Sequence, residues 1–118
     1  MRFLCVYKSE RESSAPPSQE EMMKMGALIG EMTQAGVLLG TEGCKSSKHG
    51  ARLQIDNGKI TVTDGPFTEA KEFIGGTAII QVASKAEAIE WTKRFLSVIG
   101  TGISEILEIN EHEPPPAQ

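Results

Sequence analysis

Apolar and polar positions change period several times along this chain of 118 residues, and each change predicts an element. Residues 2–7 place Phe3, Cys5 and Tyr7 on one side of an extended run and Leu4 and Val6 on the other. Apolar residues on both sides predict a central strand covered on both faces. Residues 8–17 carry Ser13, Ser14, Pro16 and Pro17 and read as a loop. Ser18 and Glu21 then form a capping box. Met22, Met25, Leu28, Ile29, Met32 and Ala35 follow at helical spacing up to Gly36, a natural stop. The methionines of this series read as core packing. Gly26 and Gly30 should each cost this helix about 1 kcal/mol relative to alanine, so they are read as permitting a close approach to the sheet. A membrane helix-pairing role is excluded by the charged and polar residues around them.

Val37 to Thr41 predicts a second strand, and 43–50 a flexible loop. Residues 52–56 and 59–63 flank Asn57-Gly58 and predict a two-residue hairpin, because that pair supplies the two positive φ angles of a type I′ turn. In this register Leu53, Ile55, Ile60 and Val62 share one face, expected to be buried, with polar residues on the other. Residues 64–72 read as a turn into a short helix that Gly75-Gly76 ends, and 77–83 as an apolar strand. Ser84 and Glu87 form a second capping box. The helix they open puts Ala88, Ile89, Trp91, Thr92, Phe95 and Leu96 on its inner face, and Gly100-Thr101-Gly102 breaks it. Ile103, Leu107 and Ile109 alternate with Ser104 and Glu108 in a last strand, with Ile106 off that face. One domain is expected over 1–109, and a disordered proline-rich tail over 110–118.

Without the hairpin the order is βαβ twice, which predicts an α+β, ferredoxin-like fold. Its sheet has both helices on one face, so the other face needs cover. The simplest cover is a second copy, giving a homodimer.

Composition narrows the function without naming it. Hydrophobic residues make up 39% of the chain and charged residues 24%, an ordinary globular balance. A net charge of −4 argues against binding nucleic acid or an anionic membrane, which calls for a basic stripe. No apolar run is long enough to span a bilayer or to form a signal peptide's core. A cytoplasmic protein with two reduced cysteines is expected. No zinc spacing, phosphate-binding glycine motif or nucleophile elbow is present, so no metal or cofactor is expected.

The segment Asp64-Gly65-Pro66-Phe67-Thr68-Glu69-Ala70-Lys71-Glu72 resembles the signature of the DGPF proteins within the YCII-related family. The likeness continues through Ala35-Gly36-Val37-Leu38, Glu42-Gly43, Gly75-Gly76 and residues 86–91, and covers most of 1–109. It implies a ferredoxin-like dimeric α+β barrel, in agreement with the fold read above, in which the hairpin is an insertion. In one branch of the family a His and an Asp are proposed as an acid–base pair, and one member resembles a dehydrochlorinating enzyme. Here the corresponding His position falls near Met25, and the Asp region reads Gly43-Cys44-Lys45-Ser46, so that pair does not carry over.

The remaining candidates each have two readings. Asp64 either caps its own turn or acts as a base. Glu42, at a strand end beside a glycine, is either solvated or an acid–base group. Arg52 and Lys71 could hold an anionic group, Lys71 otherwise being solvated near Glu69. Tyr7 either presents its hydroxyl to a pocket or is a buried, bonded tyrosine. Phe67 reads as a core anchor and His49 as a solvated loop residue. Two functions follow. The first is a cleft between sheet and helices, lined by Glu42, Arg52, Asp64 and Lys71. It would bind or turn over a small anionic molecule by cofactor-free acid–base chemistry. The second is a non-catalytic protein-interaction module.

Overall fold

The computed structural model describes residues 1–10, 17–67 and 70–111. Along them run β1 (Arg2–Ser9), α1 (Gln19–Gln34), β2 (Leu38–Gly43), a 3₁₀ turn (Ser47–His49), β3 (Ala51–Asp56), β4 (Lys59–Asp64), β5 (Phe73–Gln81), α2 (Lys85–Ile99) and β6 (Ile103–Glu108). The tail from residue 112 onward, the loop at 11–16, Thr68 and Glu69 lie outside the described residues.

Both helix starts follow from their caps. Ser18 Oγ accepts the Glu21 amide at 3.1 Å, and Ser84 Oγ accepts the Glu87 amide at 3.1 Å. Glu87 also accepts the Ala83 amide at 3.0 Å, so amides that the helix leaves unpaired are satisfied locally. Gly36 and Gly100 adopt the positive φ that ends each helix.

Four strands form one sheet in the order β2-β5-β1-β6, every neighbour antiparallel. With β3 and β4 set aside this is an α+β fold compatible with a ferredoxin-like arrangement. Phe3 lies opposite Ile80, and both are buried with Leu28 and Met32 of α1 and Ala88 of α2. The two helices therefore share one face of the sheet. An ion pair between Arg94 and Glu31 ties them together.

Several expectations need correction. Residues 70–72 are not helical, and Gly75-Gly76 lies inside β5 rather than ending a helix. The pair serves close approach within the sheet. A Cβ at Gly75 would stand 3.0 Å from the Tyr7 ring, and one at Gly76 would stand 2.9 Å from the Glu42 carbonyl oxygen. The pairing of β1 with β5 also shifts register at this point, between Tyr7 and Lys8. In β6 it is Ile106 that packs toward the core, opposite Cys5. Leu107 and Ile103 are exposed on the other face, opposite Leu4 and Lys8. Met22 is 59% exposed rather than core, because it sits in the first turn of α1, ahead of the residues that reach the sheet. Gly26 and Gly30 have nothing within 4 Å of where a Cβ would stand, so no close approach explains them.

The hairpin register is as expected, with Ile55 opposite Ile60 and Leu53 opposite Val62. Asn57 and Gly58 both have positive φ. Its apolar face, however, is open: Leu53, Ile55, Ile60 and Val62 are 61–67% exposed. The hairpin is a separate two-stranded sheet.

Candidate functional site

A cavity of about 280 Å³ lies between the four-stranded sheet and the two helices. Sheet alternation explains its floor. Cys5 and Ala78 are paired and face the helices, as do Thr41 (opposite Ala78) and Ser104 (opposite Tyr7). Met25 and Ile29 of α1, and Trp91, Thr92 and Phe95 of α2, form the roof. Small residues in the floor beneath long ones in the roof leave the space open.

Tyr7 stands at one end. Its ring meets Phe95 edge-on at 5.6 Å, and its hydroxyl donates to the Thr101 carbonyl at 3.0 Å. Two glycines make its seat. A Cβ on Gly102 would lie 2.5 Å from the Tyr7 hydroxyl, and Gly75 flanks the ring's other edge. Burial, and then the charge of Glu21, push the Tyr7 phenol's pKa up, so the hydroxyl stays protonated.

Two threonines are committed in the same way. Thr41 Oγ1 donates to the Thr77 carbonyl at 3.1 Å, and Thr92 Oγ1 donates to the Ala88 carbonyl at 2.8 Å. With their protons used, these hydroxyls and that of Tyr7 offer lone pairs to the cavity. Burial pushes the Cys5 thiol up, partly offset by a hydrogen bond with Thr92. Cys5 is therefore a neutral thiol rather than a nucleophilic thiolate.

Of the five residues singled out from the sequence, the cavity gathers Tyr7 and Glu42. Glu42 pairs with Thr77, on the opposite alternation from Thr41. Its side chain thus belongs to the face away from the helices, and its backbone passes the cavity rim. Arg52, Asp64 and Lys71 are not among the lining residues, so the expected quartet does not meet in the cleft. Arg52 and Asp64 belong to the hairpin, which is separate from the main sheet, and Lys71 lies in the segment between β4 and β5.

The Asp64-Gly65-Pro66-Phe67 segment forms a corner at the hairpin base. The Gly65 amide donates to the Gly50 carbonyl at 3.0 Å, and the Phe67 amide donates to Ser47 Oγ at 3.2 Å. A Cβ on Gly65 would fall 1.6 Å from the Ser47 carbonyl oxygen, so only glycine fits. Phe67 is half-buried rather than a core anchor: it is absent from the core cluster, and the Arg52 guanidinium stacks on its ring at 4.4 Å. His49 is exposed in the 3₁₀ turn.

Thr41, Thr92 and Gly102 were not singled out from the sequence as site residues. Gly102 carried a signal, because one glycine suffices to stop α2 and Gly100 already does so. Among the described residues no cluster of His, Cys, Asp or Glu could hold a metal, and no helix is long and apolar enough to cross a membrane.

No curated protein matches the chain. The model of the YCII-related domain matches residues 1–113, nearly the whole sequence, and the chain therefore belongs to the YCII-related family.

Proposed function

We propose that this protein binds a small, neutral, largely apolar molecule in the cavity between sheet and helices. The observation that carries this reading is the lining: mainly apolar side chains, no Lys, Arg or His among the described residues that form it, and the Tyr7, Thr41 and Thr92 hydroxyls, whose protons are already donated. Such a wall favours an apolar body with an O–H or N–H that meets a lone pair. It disfavours the anionic ligand expected from Arg52 and Lys71, because a buried anion needs a cationic or donor partner. The volume is near the lower end of the roughly 300–1,000 Å³ typical of ligand pockets, which sets the ligand's size. Binding is proposed rather than acid–base turnover. Cys5 and Tyr7 are held protonated, and Glu42 lies on the opposite alternation.

The finer placement among DGPF proteins belongs to the same proposal and rests on Asp64-Gly65-Pro66-Phe67. So does a cytoplasmic setting, supported by the free Cys5 and Cys44. A homodimer is proposed as well. Leu4, Val6, Ile79 and Leu107 share the sheet face away from the helices, by their pairing across β5, β1 and β6. Cover by a second copy would remove that apolar surface from water.

Trp91 lines the cavity and is the chain's only tryptophan, so its fluorescence reports occupancy. Titration with cyclohexanol should give a saturable change in emission, while cyclohexanecarboxylate of similar shape should bind at least tenfold more weakly. Ala78→Leu, which fills the floor, should abolish the response. Tighter binding of the carboxylate, or no saturable response to either, would end this reading.

A further inference from the structure

We infer that the β3–β4 hairpin is an arm that seats its apolar face on a second copy of this chain. This rests on the homodimer reading above and adds the element that makes the contact.

The hairpin has no ladder to the main sheet, and the backbone bond at its base runs from Gly65 to Gly50. A lone two-stranded hairpin is marginal in water without something packed against it. Yet this one is built with care: a type I′ turn, four matched apolar residues and a polar opposite face. Leu53, Ile55, Ile60 and Val62 remain 61–67% exposed in the protomer.

The protomer is also extended. Its radius of gyration is 17.1 Å, against roughly 13–14 Å for a compact domain of this length. It measures 56 × 45 × 19 Å, a flat shape that leaves broad faces uncovered.

Area and charge both favour a second copy as occupant. Fully burying a large apolar side chain removes roughly 60–120 Å² from water. The four hairpin residues, with exposed Ile74, Ile103 and Leu107 of the open sheet face, thus supply on the order of 400–800 Å² per copy. A standard interface takes about 800 Å² per partner, which the upper end of that range reaches. The arm carries Arg52 and Lys59 against Asp56 and Asp64 and is neutral, although the chain is −4. The arm itself therefore adds no like-charge repulsion to self-association.

The test replaces Leu53, Ile55, Ile60 and Val62 together by threonine, which keeps strand preference, and measures mass against concentration by sedimentation. A dimeric wild type and a variant whose dimer is at least 100-fold weaker, with unchanged circular dichroism, is the expected result. A variant that dimerises like the wild type overturns the arm and leaves the sheet-face dimer standing. A wild type that stays monomeric at every concentration overturns both. Hydrogen exchange on the wild type checks the arm without any variant: hairpin amides should gain protection as concentration rises, and protection independent of concentration in a dimerising protein overturns it.

Discussion

At the scale of single residues, glycine carries much of the explanation, and different glycines do different work. Gly102 has φ +103 and borders the Tyr7 hydroxyl. Gly102→Ala should therefore cost about 1–3 kcal/mol and shift the Tyr7 ring, read as a lower Tm and altered near-ultraviolet dichroism. Gly26 and Gly30 face open space on α1. Replacing each by alanine should stabilise by about 0.5–1 kcal/mol, seen as a rise in Tm for the double variant. The sequence gives both sets the same letter. What separates them is whether another part of the chain stands where a Cβ would be, and the sequence does not carry that distance.

At the scale of elements, the sequence is legible wherever the physics is local. The Ser18 and Ser84 caps, the Asn57-Gly58 turn and the cross-strand pairs of the hairpin all depend on neighbours a few residues apart. The residues after Asp64 suggest a short helix because Gly75-Gly76 looks like a stop signal, whereas the role of that pair is set by Tyr7 and Glu42 on adjacent strands. In β6 the alternation leaves the inner residue open, because Ile103, Ile106 and Leu107 fit either face until pairing with β1 sets the register. The two helices are joined on their outer surface by Arg94 and Glu31, and Arg94 holds the Glu31 carboxyl below its usual 4.5. A carboxylate depressed in the folded state adds stability above its unfolded pKa and loses it as pH falls through the folded one. Glu31→Gln should therefore lower Tm slightly at neutral pH, with the difference from wild type vanishing as the solution is taken well below pH 4.5. A difference that persists in acid would show that the pair is not its source.

At the scale of the whole molecule, two apolar surfaces remain in contact with water: the sheet face away from the helices and the face of the hairpin. The homodimer reading gives both a purpose. Val6→Lys places a charge in the centre of the open sheet face, where Val6 pairs with Thr77 and Glu105. It should drive the protein toward monomer in light scattering while leaving Trp91 emission from the cavity unchanged. An undiminished dimer would move the interface elsewhere.

The sequence by itself determined the two long helices and their caps, the presence of six strands, the hairpin register and the family, since propensity, capping and side-chain alternation act over a few residues. It also showed that the first strand is apolar on both sides. Only the tertiary structure decided which of those residues enclose a cavity. Tyr7, Thr41 and the neighbours Trp91 and Thr92 come from three different elements, and their meeting depends on strand order and on where the helices settle. It also decided that Arg52, Asp64 and Lys71 stand away from that cavity. Their charges suggested a site, but the hairpin's departure from the sheet carries Arg52 and Asp64 elsewhere, and direction in space is a property of the folded chain rather than of any segment.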